Sequence, residues 1–198
     1  MEAEAPDTTE FPVSDTPPAP KPKKAARLAI LEWGGLIVGA FLIAVVVRAF
    51  LFQAFYIPSA SMEPTLQKND RVLVNKLSYK LHDVHRGDII VFKAPKDVNP
   101  PVKDLVKRVI GIPGDTVEGR ADGYVYVNGK RIHEPYLKPP GITTPGFSKR
   151  TVPPDHYWVM GDNRVVSEDS RFFGFIPKKD IVGRVFIRIW PLSRIDLL

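Results

Sequence analysis

The stretch Tyr56-Ile57-Pro58-Ser59-Ala60-Ser61-Met62-Glu63-Pro64-Thr65-Leu66 sets two hydroxyls into a proline-bounded turn, just after the only long apolar segment of the chain. A serine in such a turn ordinarily bonds to nearby amides. For Ser61 to act as a nucleophile, a base from elsewhere must take its proton. Histidine titrates nearest to neutral pH, and the chain offers four: His82, His85, His133 and His156. His82-Asp83-Val84-His85 lacks the His-Glu-x-x-His spacing of a helical metal site and sits in a polar turn before Gly87-Asp88, so it reads as solvated. Lysine is the other option, provided burial strips its amine of charge. Lys107 stands out among the lysines. In an extended Leu105-Val106-Lys107-Arg108-Val109-Ile110, alternation puts it on one face with Leu105 and Val109, and Arg108 on the other with Val106 and Ile110. A strand lysine more often points to solvent, so this local pattern leaves the histidines open.

The elements that must position these groups follow from composition and pattern. At 198 residues, 44% hydrophobic and 25% charged, the chain suffices for one sizeable folded domain with appendages. With no cysteine, it has neither a disulfide scaffold nor a thiol nucleophile nor thiolate metal ligands. The net charge is +6, but the basic residues are scattered, which argues against a nucleic-acid partner.

Met1 to Pro22 mixes acids with a proline run and has no apolar periodicity, so a disordered tail is expected. Lys21, Lys23, Lys24 and Arg27 form a basic flank completing a segment 1–27. Leu28 to Leu51 then runs apolar except for Glu32 and Arg48, about as long as the roughly 20 residues that cross a bilayer. A cleavable leader is the rival reading, with small residues at Ser59-Ala60-Ser61; its apolar core is ordinarily only about 7 to 15 residues. The expectation is therefore an uncleaved, single-pass transmembrane helix over 28–51. The basic flank places the N-terminus in the cytoplasm and residues 52–198 outside it.

From about Gln53 onward, short β-branched runs alternate with Gly, Pro, Asn and Asp: Arg71 to Lys76, Asp88 to Lys93, Leu105 to Ile112, Thr116 to Glu118, Tyr124 to Val127, His156 to Met160 and Ile181 to Trp190. The fold class expected is mainly β, an antiparallel sheet domain, with no convincing helix after the anchor. Asn128-Gly129 marks a hairpin turn, and Val98 to Val102 and Lys138 to Gly141 read as exposed loops.

Three stretches together resemble the type I signal peptidases, the membrane Ser/Lys endopeptidases that remove leader peptides from exported proteins. Pro58 to Leu66 is similar to that family's nucleophile box, Lys107-Arg108-Val109-Ile110-Gly111-Ile112-Pro113-Gly114-Asp115 to its general-base box, and Gly161-Asp162-Asn163-Arg164 with Ser167-Glu168-Asp169-Ser170-Arg171 to its third box. Arg86 to Phe92 resembles a further family stretch. The resemblance implies that Ser61 attacks the scissile carbonyl, Lys107 takes its proton, Ser59 donates to the oxyanion and Ser167 orients the amine. It implies supporting ion pairs, Asp162 with Arg108 and Asp169 with Arg171. Phe55, Ile57 and Met62 are the candidate walls of the substrate pockets, by resemblance and by their positions beside Ser61.

No metal and no cofactor are expected; the partners expected are preprotein signal peptides and the lipid bilayer, at a bacterial plasma (inner) membrane. Val165-Val166 departs from the polar residues usual between Arg164 and Ser167, which implies altered packing of that loop. Two other functions fit the same residues less fully: a related Ser/Lys processing protease acting on a soluble or attached partner, and a non-catalytic anchored β-domain that binds exported proteins.

Overall fold

The computed structural model describes residues 23–96, 98, 102–137 and 146–198. The expected tail, Met1 to Pro22, and the Lys138 to Gly141 loop lie outside the described residues. In chain order the elements are α1 (Lys23–Phe50), β1 (Phe52–Tyr56), β2 (Arg71–Asn75), α2 (Ser78–Leu81), β3 (Ile89–Lys93), β4 (Asp104–Gly111), β5 (Thr116–Gly119), β6 (Val125–Val127) and β7 (Lys130–Arg131). They continue with β8 (Arg150–Thr151), β9 (His156–Met160), α3 (Ser170–Phe173), β10 (Ile176–Pro177), β11 (Ile181–Trp190) and β12 (Asp196–Leu197). The chain divides into two compact units, 1–43 and 44–198, and all the strands belong to the second.

In α1 the described side chains are those of residues 32–45, and Trp33, Leu36, Ile37, Phe41 and Ile43 are each 66–67% exposed. Among the described residues, no helix is long and apolar enough to cross a membrane. The ends of the expected Leu28 to Leu51 span fall on side chains outside that described window.

Every strand pairing is antiparallel. The larger sheet runs β1-β2-β11-β3-β4-β9-β10, with β12 on β11, and the smaller runs β7-β6-β5-β8. β3 shows why the larger sheet forms. Its Ile89-Ile90-Val91-Phe92 run is apolar at every position because both faces are covered, which alternating side chains permit. Ile89 and Val91 pack with Ile57, Met62, Leu66, Val72 and Val74, while Ile90 and Phe92 pack with Val109, Tyr157, Val159 and Ile176. Burying each such side chain contributes about 1.5 to 3 kcal/mol. A third cluster joins Ile110, Trp158 and Met160 to Val117, Val125 and Val127 of the smaller sheet. The β6-β7 hairpin turns at Asn128 and Gly129, whose φ of 53° and 75° are the left-handed pair such a two-residue loop requires.

β4 pairs with β3 from Asp104 to Arg108, but its other edge meets β9 only from Arg108 onward. Asp104 to Lys107 therefore keep one edge without a partner strand among the described residues. Three expectations are corrected. β1 is a strand although its Phe-Gln-Ala-Phe-Tyr has no β-branched residue, because Phe52 to Tyr56 pair in register with Asn75 to Arg71. Two helices of four residues, α2 and α3, follow α1; each is a single turn, too short to leave an apolar period in the sequence. Val98, expected in an exposed loop, is 7% exposed and packs inward.

Candidate active site

The turn that carries Ser61 is pinned from several directions. Met62 and Leu66 are 1% and 0% exposed in the core beside β2 and β3, which ties the turn to the sheet. The Ile57 amide donates to the Asp70 carbonyl at 2.9 Å, and the Asn69 amide donates back to the Ile57 carbonyl at 2.9 Å. The Thr65 hydroxyl donates to Asp162 at 2.6 Å, and Arg188 donates to the Thr65 carbonyl at 2.6 Å. At Ser61 itself, the Asn163 amide donates to the carbonyl at 3.0 Å. Ser59 Oγ and Ser61 Oγ are 3.3 Å apart.

Lys107 lies opposite Ile90 in the β3-β4 register, which puts it on the face of Leu105 and Val109. It is 2% exposed. Burial pulls its amine down from 10.5 to about 8, because the ammonium form loses its water. Asp169, Glu168 and Asp162 act the other way and Arg171 adds to the fall. These charges come from the third box, distant in sequence, which the fold brings against the strand.

Phe55, Ile57, Ser59, Ser61, Met62 and Lys107 line one cleft of about 290 Å³, together with Val98, Val102, Asp104 to Val106, Val166 and Glu168 among others. No histidine lines it. All three expected pocket walls are there, although Ile57 and Met62 are also core residues.

Asp162 receives Arg108 through Nε at 2.8 Å and Nη2 at 2.6 Å, and Asp169 receives Arg171 through Nε at 2.8 Å and Nη2 at 2.9 Å. Both carboxylates are fully buried, so these pairs differ from solvated surface bridges; removing one partner strands a buried charge. Ser167 Oγ is buried and makes no hydrogen bond among the described residues, so the contact to the lysine amine that the resemblance implies is not formed. Val165 and Val166 are 67% and 60% exposed, and Val166 reaches the cleft. Arg171 Nη2 secures that loop through the carbonyls of Arg164 at 2.7 Å and Ser167 at 3.3 Å, a backbone arrangement that side chains at 165 and 166 leave intact. Among the described residues, no cluster of acids and histidines could hold a metal ion.

Two residues of this neighbourhood escaped the sequence reading, Glu134 and Tyr136. Arg164 is buried and donates to Glu134, and Tyr136 donates to Glu134 at 2.9 Å. A lone Glu-Pro-Tyr after a hairpin reads as a turn, and only the fold shows that it is covered.

Residues 30–190 match the family profile described as signal peptidase, peptidase S26. The chain belongs to this family. It is a serine peptidase, a hydrolase acting on signal peptides. Among its relatives, a probable signal peptidase I-2 of Synechocystis sp. is 46% identical over 171 residues, covering 85% of this chain and 77% of that protein. A signal peptidase I of Leptolyngbya laminosa is 41% identical, covering 96% and 95%. A signal peptidase IB of Staphylococcus aureus (strain COL) is 42% identical, covering 83% and 91%. The crystal structure of a signal peptidase I from Enterococcus faecalis is 36% identical with a TM-score of 0.45, covering 52% of this chain and 97% of that one.

Gly161 explains how tightly the third box meets the Ser61 turn. A Cβ there would lie 2.2 Å from Ser167 Oγ and 2.4 Å from the Ser61 carbonyl oxygen. The serine side chain can rotate away, but the carbonyl is backbone and cannot. Gly161→Ala is therefore expected to lower stability by about 1 to 3 kcal/mol. It should also cut turnover of the folded protein about 100-fold, because an ångström of displacement at the reacting atoms has that effect. Thermal denaturation and turnover of a leader-bearing precursor check the two effects separately.

Proposed function

We propose that Ser61 is the nucleophile and Lys107 the general base in the cleavage of signal peptides from exported preproteins. The observation that carries this reading is Lys107: buried, its amine lowered to about 8, and lining the same cleft as Ser61. An ordinary lysine is protonated at neutral pH and cannot accept a proton; this one has a substantial neutral fraction near pH 8. In the first step the Ser61 oxygen bonds to the scissile carbonyl carbon while its proton passes to Lys107. The charge that develops on the carbonyl oxygen is met by the Ser61 amide and the Ser59 hydroxyl. Collapse breaks the peptide bond, with the proton on Lys107 going to the leaving amine; water then hydrolyses the acyl-enzyme, with Lys107 again as base. The Arg108-Asp162 and Arg171-Asp169 pairs hold the third box in place.

The leader binds as an extended strand against the unpaired edge of Asp104 to Lys107 and the end of β1, since a free edge offers a peptide backbone its hydrogen bonds. Phe55, Ile57 and Met62 then form shallow apolar pockets for small side chains.

α1 anchors the protein in the bilayer as a single pass, with its N-terminus cytoplasmic and residues 52–198 outside, at a bacterial plasma membrane. The large apolar side chains exposed along 32–45 support this, as does the Lys21, Lys23, Lys24 and Arg27 flank. Membrane vesicles carrying the full chain, treated with a covalent serine-reactive probe, should be labelled on Ser61, and untreated vesicles should convert a leader-bearing precursor to its mature form. Labelling at another serine, or a soluble protein with full activity toward the embedded leader, overturns the assignment or the anchor respectively.

A further inference from the structure

Glu134 stands outside the cleft, yet a continuous set of buried polar contacts connects it to the nucleophile turn. Glu134 is 7% exposed and Arg164 is 3% exposed. Arg164 grips the carboxylate with both terminal nitrogens, Nη2 on Oε1 and Nη1 on Oε2 at 3.3 Å, and Tyr136 donates its hydroxyl to Oε1 at 2.9 Å. The Arg108 guanidinium stacks over the Tyr136 ring at 4.0 Å while its nitrogens hold Asp162. The segment after β7 thus touches Arg164 of the third box and Arg108, which holds Asp162.

Arg164 Nε donates to the Gly161 carbonyl at 3.0 Å. Gly161 is the residue with no room for a Cβ between Ser167 and the Ser61 carbonyl. Two residues on, the Asn163 amide donates to that same Ser61 carbonyl at 3.0 Å. The contact chain therefore runs from Glu134 through Arg164 to two peptide groups that abut the nucleophile residue.

Resting on the Ser61 assignment, we propose that Glu134 is a positioning residue, which through Arg164 fixes the 161–163 backbone and thereby the placement of Ser61 against Lys107. A buried guanidinium has a large desolvation penalty and needs its carboxylate in a fixed geometry. When the carboxylate becomes an amide, Arg164 seeks other partners and the backbone it holds moves with it. Neither Glu134 nor Arg164 lines the cleft, so substrate affinity stays where it was.

The test is Glu134→Gln in the full chain, with turnover of a leader-bearing precursor measured well below the unfolding temperature and referred to folded protein. The expected result is a kcat lower by about 10- to 100-fold with KM within about twofold. Glu118→Gln serves as a comparison, because Glu118 is a carboxylate paired with Arg120 that does not line the cleft; it should keep kcat per folded molecule. A folded Glu134→Gln protein with kcat within twofold of the parent overturns the inference. So does a rise in KM that matches the loss in kcat/KM, which would make Glu134 a shaper of the cleft. If Glu134→Gln does not fold, Tyr136→Phe decides: it keeps the ring beneath Arg108 and removes one donor to the carboxylate, and kcat should fall about threefold at constant KM, an unchanged kcat overturning the proposal. Failure of the parent protein to cleave the precursor would instead strike the assignment of Ser61 on which the inference rests.

Discussion

Lys107→Met is expected to abolish cleavage and to yield a protein that is more stable than its parent at neutral pH. A methionine fills much of the same buried volume and carries no charge, so the fold keeps its packing while the proton acceptor is gone. The stability gain follows from the direction of the pKa change. The folded amine lies below its unfolded value, so the folded state binds its proton more weakly and bears a penalty wherever the lysine is protonated. That penalty is full below about pH 8, fades as pH rises toward 10.5 and is absent above it. At about 1.36 kcal/mol per pH unit, the fall from 10.5 to about 8 makes the penalty roughly 3 kcal/mol. Thermal denaturation of both proteins from pH 6 to 11 checks this: the gap should narrow through the window from 8 to 10.5. The rate of the parent protein should rise with pH through a limb near 8, and Lys107→Arg should be as inactive as the methionine variant, since a guanidinium stays protonated. A rate profile without an ionisation between about pH 6 and 9 would return the question to His82 or His156, although neither lines the cleft.

Ser61→Ala is expected to lose all turnover with no loss of fold, whereas Ser59→Ala should keep a residual rate about 10² to 10³ below that of the parent. The difference separates the atom that forms the bond from a donor that only steadies the charge. With the two hydroxyls 3.3 Å apart, either could be taken for the nucleophile from position alone. Single-turnover measurements with an excess of enzyme distinguish the variants, because a slow Ser59→Ala enzyme completes the reaction and Ser61→Ala does not. Equal partial losses at both positions would show that the roles are misassigned.

Much of the sheet was legible because its signals are local. The β-branched runs at Arg71, Asp88, Leu105, His156 and Ile181 begin within a residue or so of the observed strands, and Asn128-Gly129 turns as its dipeptide demands. β1 escaped because it carries no β-branched residue; its place in the sheet comes from pairing in register with β2. Around the cleft, alternation placed Lys107 on the Leu105 and Val109 face, and the turn carrying Ser61 was readable from its prolines. The acids acting on Lys107 and the buried Glu134-Arg164 pair were not legible, since each partner sits tens of residues away in a segment that alone reads as a polar loop. Long-range polar contacts carry no periodic signature. A charged residue announces exposure until the fold supplies its partner.

The half-paired β4 bears on accuracy. A peptide seated on Asp104 to Lys107 meets evenly spaced backbone rungs, and sliding it by one residue turns every side chain to the opposite face. Sliding by two restores the faces but carries the bond to be cut about 6.8 Å along the strand, out of reach of a fixed nucleophile. On the proposed binding mode, misplaced leaders are rejected in discrete steps, and choosing where to cut becomes a matter of counting residues along a ruler whose zero mark is the strand that also holds Lys107.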